Sequence, residues 1–246
     1  MTARQDLTAD PVFEAELATA RLGTAFFGRK LDELSDAELD GDSLLPEWTR
    51  RHVVAHIGYN ARAIARLIEW AGTGVETPMY ESAEARNDEI AHGVTLVPLE
   101  LRDLYNLSAM QLNEAWRELP DMSWSHLVKA AQGRIVPASE TVWIRAREVW
   151  VHGVDLNNGG SFDDIPVDVL ERMLGDITRT WKARGDDKGL RLEVSGALAC
   201  SFGDGDDTDA EIVSGSLADA TAWACGRGSE GVTSSRPDNP LAPRWI

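Results

Sequence analysis

Four long stretches in the first 156 residues repeat apolar positions at intervals of three and four, the period of an amphipathic helix. Asp10-Pro11 opens the first: a cap residue, then a proline at the first turn. A helix is expected from there to about Leu34. In LLPEWTRRHVVAHIGYNARAIARLIEWAG, Thr49 is the N-cap, and Trp48 and Val53 are spaced as a hydrophobic staple. That helix is expected to reach Trp70, with Gly72 ending it. Pro98 opens LELRDLYNLSAMQLNEAWREL, and Pro120 stops it. The fourth stretch is SETVWIRAREVWVHGVDL, Ser139 to Leu156. Four such helices predict a bundle. The connections Thr73–Val97 and Pro120–Ala138 are too long for tight turns, which suits segments that shape a site.

The pattern changes after NNGGSFDDIP, Asn157 to Pro166. One more helix, about Val167 to Lys182, is followed by LRLEVSG and AEIVSG, which read as short strands, and by SLADATAWAC, which reads as a helix. The fold class expected is mainly α: a four-helix bundle over residues 1–160, then a small α+β domain over 161–246.

Composition alters this picture little. The chain has 246 residues, 43% of them apolar and 26% charged, ordinary globular usage. Its net charge of −17 argues against nucleic acid and anionic membrane as partners, since both are polyanions. Two cysteines, Cys200 and Cys225, form no CxxC. The polar start MTARQDLTADPVFEAE has no signal-peptide core, and no uncharged apolar run reaches spanning length. A cytoplasmic location is expected.

The candidate chemistry lies on two helices. At about 100° per residue, Thr141, Arg145, Glu148, His152 and Asp155 fall in a stripe roughly 80° wide. Two readings fit: a solvated face with an i,i+4 Glu–His pair, or two arms of a site. On the second helix, His56 shares its side with Val53, Asn60, Ala63 and Leu67, while Arg51, Arg62, Arg66 and Glu69 take the other. His56 is therefore expected to face the core, and His52 to sit nearer the edge. A core histidine is often merely hydrogen-bonded. Here a second helix offers Glu148 and His152 at ligand spacing, and two imidazoles with one carboxylate suit a divalent metal, zinc first, with a position left open. His92 and His126 fall in apparent loops and are expected to be surface residues. DGDDTDAEIVSG, from Asp204, has Asp209 where a calcium loop needs glycine and Gly215 where it needs glutamate, so an acidic hairpin loop is expected. GRGSEG, from Gly226, lacks the lysine and the strand-then-helix context of a phosphate loop.

WTRRHVVAHIGYNARAI together with RAREVWVHGVDL resembles the DinB-like metal-binding four-helix bundles. SGSLADATAWACGRG resembles the closing domain of the mycothiol-dependent maleylpyruvate isomerases. The resemblance covers nearly the whole chain. It implies that His56, Glu148 and His152 hold the metal, that Arg227 completes the active site, and that Arg86, in PMYESAEARNDEI, borders the pocket. Cys225 departs from the family, where a threonine-like residue is expected. For Asp155 two readings stand: it orients a ligand histidine or a polar group of the thiol cofactor, or it is a helix-end surface acid. Asn60 either lines the pocket or satisfies itself. The activity implied is zinc- and mycothiol-dependent cis–trans isomerisation of maleylpyruvate, a small dicarboxylic substrate, to fumarylpyruvate in gentisate-type aromatic catabolism. A thiol S-transferase on the same scaffold and a non-catalytic metal- or ligand-binding regulator are the alternatives.

Overall fold

The computed structural model describes residues 6–196, 200–203, 209–237 and 241–245. They form two compact units, Met1–Gly160 and Ser161–Ile246.

The first unit is the helical bundle. Helix α1 spans Pro11–Asp32, capped by the Asp10 carboxylate, which accepts from the Val12 amide. Helix α2 spans Arg50–Thr73. It runs through Gly72, and the terminator is Gly74, whose φ of 74° is the left-handed conformation that favours glycine. Helices α4, Pro98–Glu118, and α5, Glu140–Asp155, complete the four. Their shared core holds Phe27, Leu31, Val53, Ile57, Leu101, Leu104, Val149 and Leu156. Helix α1 lies very close to α5. A Cβ on Gly23 would come within 2.7 Å of the Trp150 ring, and one on Gly153 within 2.5 Å of the Phe26 ring.

Both long connections contain structure that periodicity did not reveal. Residues Ala83–Thr95 form helix α3, capped by Ser82 and packed on α2. It buries only Ile90 and Gly93, too few positions to leave an apolar stripe in the sequence. The second connection holds a one-turn 3-10 helix, Asp121–Ser125, and a hairpin of β1, Leu127–Lys129, with β2, Ile135–Pro137. Three-residue strands are too short to show alternation.

The second unit contains α6, Val167–Arg184, then β3, Leu190–Val194, β4, Cys200–Gly203, β5, Glu211–Gly215, α7, Leu217–Ala224, and β6, Val232–Ser234. The sheet order is β4-β3-β5-β6, with β3 and β5 parallel and the other pairs antiparallel. Leu192, Val194 and Val213 face inward, and α6 and α7 meet through an edge-to-face contact of Trp181 and Trp223. The fold is thus a helical bundle followed by a small α+β unit. Residues 204–208 of the acidic candidate loop lie outside the described residues. No described helix is long and apolar enough to cross a membrane.

Candidate metal centre

Helix α2 turns His56 inward because its apolar positions recur on the same side; His56 is 5% exposed. Helix α5 presents Glu148 and His152 one turn apart on one face. Arg50, the first residue of α2, ties the two helices together. Its Nε donates to the Leu156 carbonyl at 2.7 Å and its Nη2 to the Asn157 carbonyl at 2.8 Å. These carbonyls belong to the end of α5, where a cation is also favoured by the helix dipole.

One donor atom from each of His56, Glu148 and His152 lies within 4.8 Å of the others. His56 Nε2 donates to Glu148 Oε2 at 2.9 Å, and His152 Nε2 lies 3.3 Å from the same oxygen. The rings of His56 and His152 meet edge-on at 4.8 Å, and Trp48 packs edge-on against His56 at 5.7 Å. His152 Nδ1 donates to Asp155 Oδ2 at 2.7 Å. A carboxylate on the far nitrogen fixes the ring and its tautomer, as metal-ligating histidines require. Two imidazoles, one carboxylate and this outer contact fit a divalent ion with an open position.

The polar stripe of α5 is inside the protein. Thr141 and Asp155 are fully buried and Arg145 is 1% exposed, which excludes both the solvated-face reading and the reading of Asp155 as a surface acid. Asn60 is buried, and its Oδ1 accepts from Arg145 Nη1 at 2.8 Å. Arg86, from α3, is half-buried, and its Nη2 donates to His56 Nδ1 at 3.4 Å.

The remaining histidines have local roles. His52 Nδ1 accepts from the Thr49 amide at 3.2 Å and so caps α2. His92 is exposed, though on α3 rather than in a loop. His126, exposed, donates from Nδ1 to the Ala71 carbonyl.

Burial pushes His56 down to about 4, so its ring is neutral. His152 moves the other way: burial opposes its charge, but hydrogen bonds to Asp155 and Glu148 outweigh burial and raise it. Burial also opposes the charge on Glu148, yet hydrogen bonds from His152 and His56 hold its carboxyl well below the usual range. Tyr80 was not anticipated, since no periodicity marks the connection it occupies. Burial raises its phenol to about 12, and Arg86 and Glu148 lie within electrostatic range.

Comparison with known proteins decides the family. Residues 20–157 match the family model described as the mycothiol maleylpyruvate isomerase N-terminal domain. The chain belongs to the mycothiol-dependent maleylpyruvate isomerase family. It is 48% identical to a crystal structure of the mycothiol-dependent maleylpyruvate isomerase, over 95% of this chain and 97% of that one, with a TM-score of 0.91. A histidine-to-alanine mutant of that enzyme matches with the same identity and coverage and a TM-score of 0.90. No curated protein matches the chain. Membership in the maleylpyruvate isomerase family makes this chain an isomerase enzyme.

In the second unit, Arg227 lies three residues past the end of α7, after Cys225 and Gly226. Gly226, at φ 75°, is the left-handed residue of the helix end; its amide donates to the Trp223 carbonyl, and the Arg227 amide to that of Ala222. Arg227 Nη1 donates to the Cys225 carbonyl at 2.6 Å. Cys225 is buried and Cys200 exposed, with the Cys200 thiol pushed up by burial and by Glu171, the opposite of activation.

Proposed function

We propose that this chain is a zinc- and mycothiol-dependent enzyme that isomerises maleylpyruvate to fumarylpyruvate in the breakdown of aromatic compounds. The observation that carries the reading is the convergence of His56, Glu148 and His152 on one point, with Asp155 behind His152. The solved relative of 48% identity is a mycothiol-dependent maleylpyruvate isomerase, which supports the choice of thiol and substrate.

A zinc ion held by His56 Nε2, Glu148 and His152 Nε2 would supply Lewis acidity that keeps a thiol ionised at neutral pH. The chain's own groups do the rest. Asp155 keeps the His152 proton on Nδ1 and leaves Nε2 as the ligand atom. Ligation of His56 through Nε2 leaves its proton on Nδ1, where Arg86 can no longer donate; the Arg86 guanidinium is then free for a substrate carboxylate. Trp48, packed against the rings of His52 and His56, keeps that side of His56 apolar.

In the reaction, the thiolate sulfur adds to the cis double bond, and the displaced electron pair moves to the carbonyl oxygen as an enolate. Rotation about the new single bond follows. The enolate pair then re-forms the double bond as trans, and the carbon–sulfur bond breaks to return the thiolate. Arg227 supplies positive charge to a substrate carboxylate or to the enolate. Asn60 holds Arg145 through its Oδ1.

The test follows thiol and product together. Zinc-loaded protein given maleylpyruvate with a sub-stoichiometric amount of mycothiol is expected to form fumarylpyruvate over many turnovers while total thiol stays constant. Consumption of one thiol per product would instead identify a transferase. Arg227→Ala is expected to keep its metal and lose about 10²–10³ in rate; near-normal turnover would remove Arg227 from the mechanism.

A further inference from the structure

The buried stripe of α5 includes Arg145, one turn before Glu148, and the reading above gives it no chemical task. Its Nη1 donates to the Ile57 carbonyl and to Asn60 Oδ1, each at 2.8 Å, so the side chain bridges α5 to α2 beside His56. Its Nη2 is buried with no hydrogen-bond partner among the described residues. Both acceptors are neutral. The titratable groups that face it are Glu148 on its own helix, Tyr105 on α4 and Tyr80 ahead of α3. Burial pulls the guanidinium down only to about 10, so it is charged at neutral pH.

A bridge between two helices needs hydrogen bonds, not a bare charge. A buried cation without a carboxylate of its own is costly to keep. The charge count at the centre gives it a use. Glu148 and Asp155 set two negative charges against the two positive of a divalent ion; Arg86, on His56, and Arg147, 3.9 Å from Glu148, add positive charge from the partly exposed rim, and Arg145 adds it from the dry interior. An anion arriving there adds negative charge beside two carboxylates, and the rim guanidiniums offset it only through solvent screening. Arg145, 1% exposed, offsets it from the interior, where a charge is screened least.

We infer that Arg145 is a positioning residue for charge: the buried cation that makes the open position of the metal centre prefer an anion over a neutral ligand. The inference rests on the metal-centre reading and extends it. At an effective dielectric of ~20, one such charge changes anion affinity on the order of ten- to thirtyfold.

Cobalt-loaded protein titrated with azide, an anion, and with imidazole, a neutral ligand, reads this directly from visible absorption. Two variants are compared with the native chain: Arg145→Lys, which keeps the charge, and Arg145→Met combined with Asn60→Leu, which replaces the polar pair by apolar groups so that the helices still pack. The double variant is expected to bind azide on the order of ten- to thirtyfold more weakly with imidazole unchanged. Arg145→Lys is expected to bind both like the native chain. Equal azide affinity in all three proteins would overturn the inference, and so would an azide loss in Arg145→Lys as large as in the double variant. Parallel loss of azide and imidazole, or loss of cobalt from the double variant, would make Arg145 a strut for the site's shape and overturn it too. Failure of the native chain itself to take cobalt is a different result, which sinks the metal-centre reading before any substitution is made.

Discussion

Helices α5 and α6 are of similar length, 16 and 18 residues, and both alternate apolar and polar stripes. Helix α6 buries Val169, Leu170, Met173, Leu174, Ile177 and Trp181 and leaves Glu171, Arg179 and Lys182 in water. Helix α5 buries its apolar stripe and, of its polar one, Thr141, Arg145 and Asp155, with Glu148 and His152 half-buried between them. A polar stripe can stay inside only if partners satisfy it. On α5 those partners come from other parts of the chain: His56 for Glu148, and Asn60 and the Ile57 carbonyl for Arg145. The difference teaches that amphipathicity alone does not say which face is solvated. A polar face whose partners lie on another helix is a candidate site.

The sharpest way to break this comparison is to remove a ligand. His56→Ala and His152→Ala are each expected to lose bound metal and on the order of 10³ or more in activity. Elemental analysis checks this, and full metal content in both variants would end the metal reading. Next in size comes the ordinary helix. Leu174→Ala is expected to cost about 2–5 kcal/mol of stability through the cavity it leaves, with metal content untouched. On the same helix, the exposed Lys182→Ala should stay within about 0.5 kcal/mol.

A smaller effect is expected from pH. His56 is held neutral at about 4, below the ordinary histidine value, so between pH 6.5 and 4 the unfolded chain binds more protons than the folded one. Metal-free protein therefore loses up to about 3 kcal/mol as pH falls through that window. His152 has the opposite sign. Its raised value contributes stability that is fully present below 6.5 and is lost as pH rises through the folded value. Thermal melts of chelated protein should thus peak near the ordinary histidine value. Loaded protein should show its optimum at higher pH, because the ligands must be deprotonated to bind. Coincident profiles with and without metal would contradict this. The smallest effect on the metal side is Asp155→Asn, expected to weaken binding about tenfold to a hundredfold with helix content intact, measured against a competing chelator.

The helices that carry the candidate ligands were legible because both are long and strongly periodic, with cap residues and prolines marking their ends. His56 could be read as inward from its apolar neighbours Val53, Ala63 and Leu67. The inward placement of Glu148, His152 and Asp155 could not, since a narrow polar stripe looks the same whether it faces water or another helix. Helix α3 and Tyr80 were missed for a different reason: two buried positions in thirteen residues give no stripe. Arg86 entered only through family resemblance.

The contacts that join α2 to α5 are distant in sequence. The hydrogen bond from Arg50 to Leu156 closes a span of 106 residues, and that from His56 to Glu148 one of 92. At a synthesis rate of about 5–20 residues per second, His56 leaves the ribosome roughly five to twenty seconds before Glu148. A nascent chain holds only one of the three donors through that interval, so an ion cannot seed this fold in the way it organises a zinc finger. Apolar collapse has to bring α2 and α5 together first. An ion held by those donors would then stabilise the finished bundle by mass action, rising with the logarithm of its free concentration, so shortage of metal would cost the chain stability rather than its route to the fold.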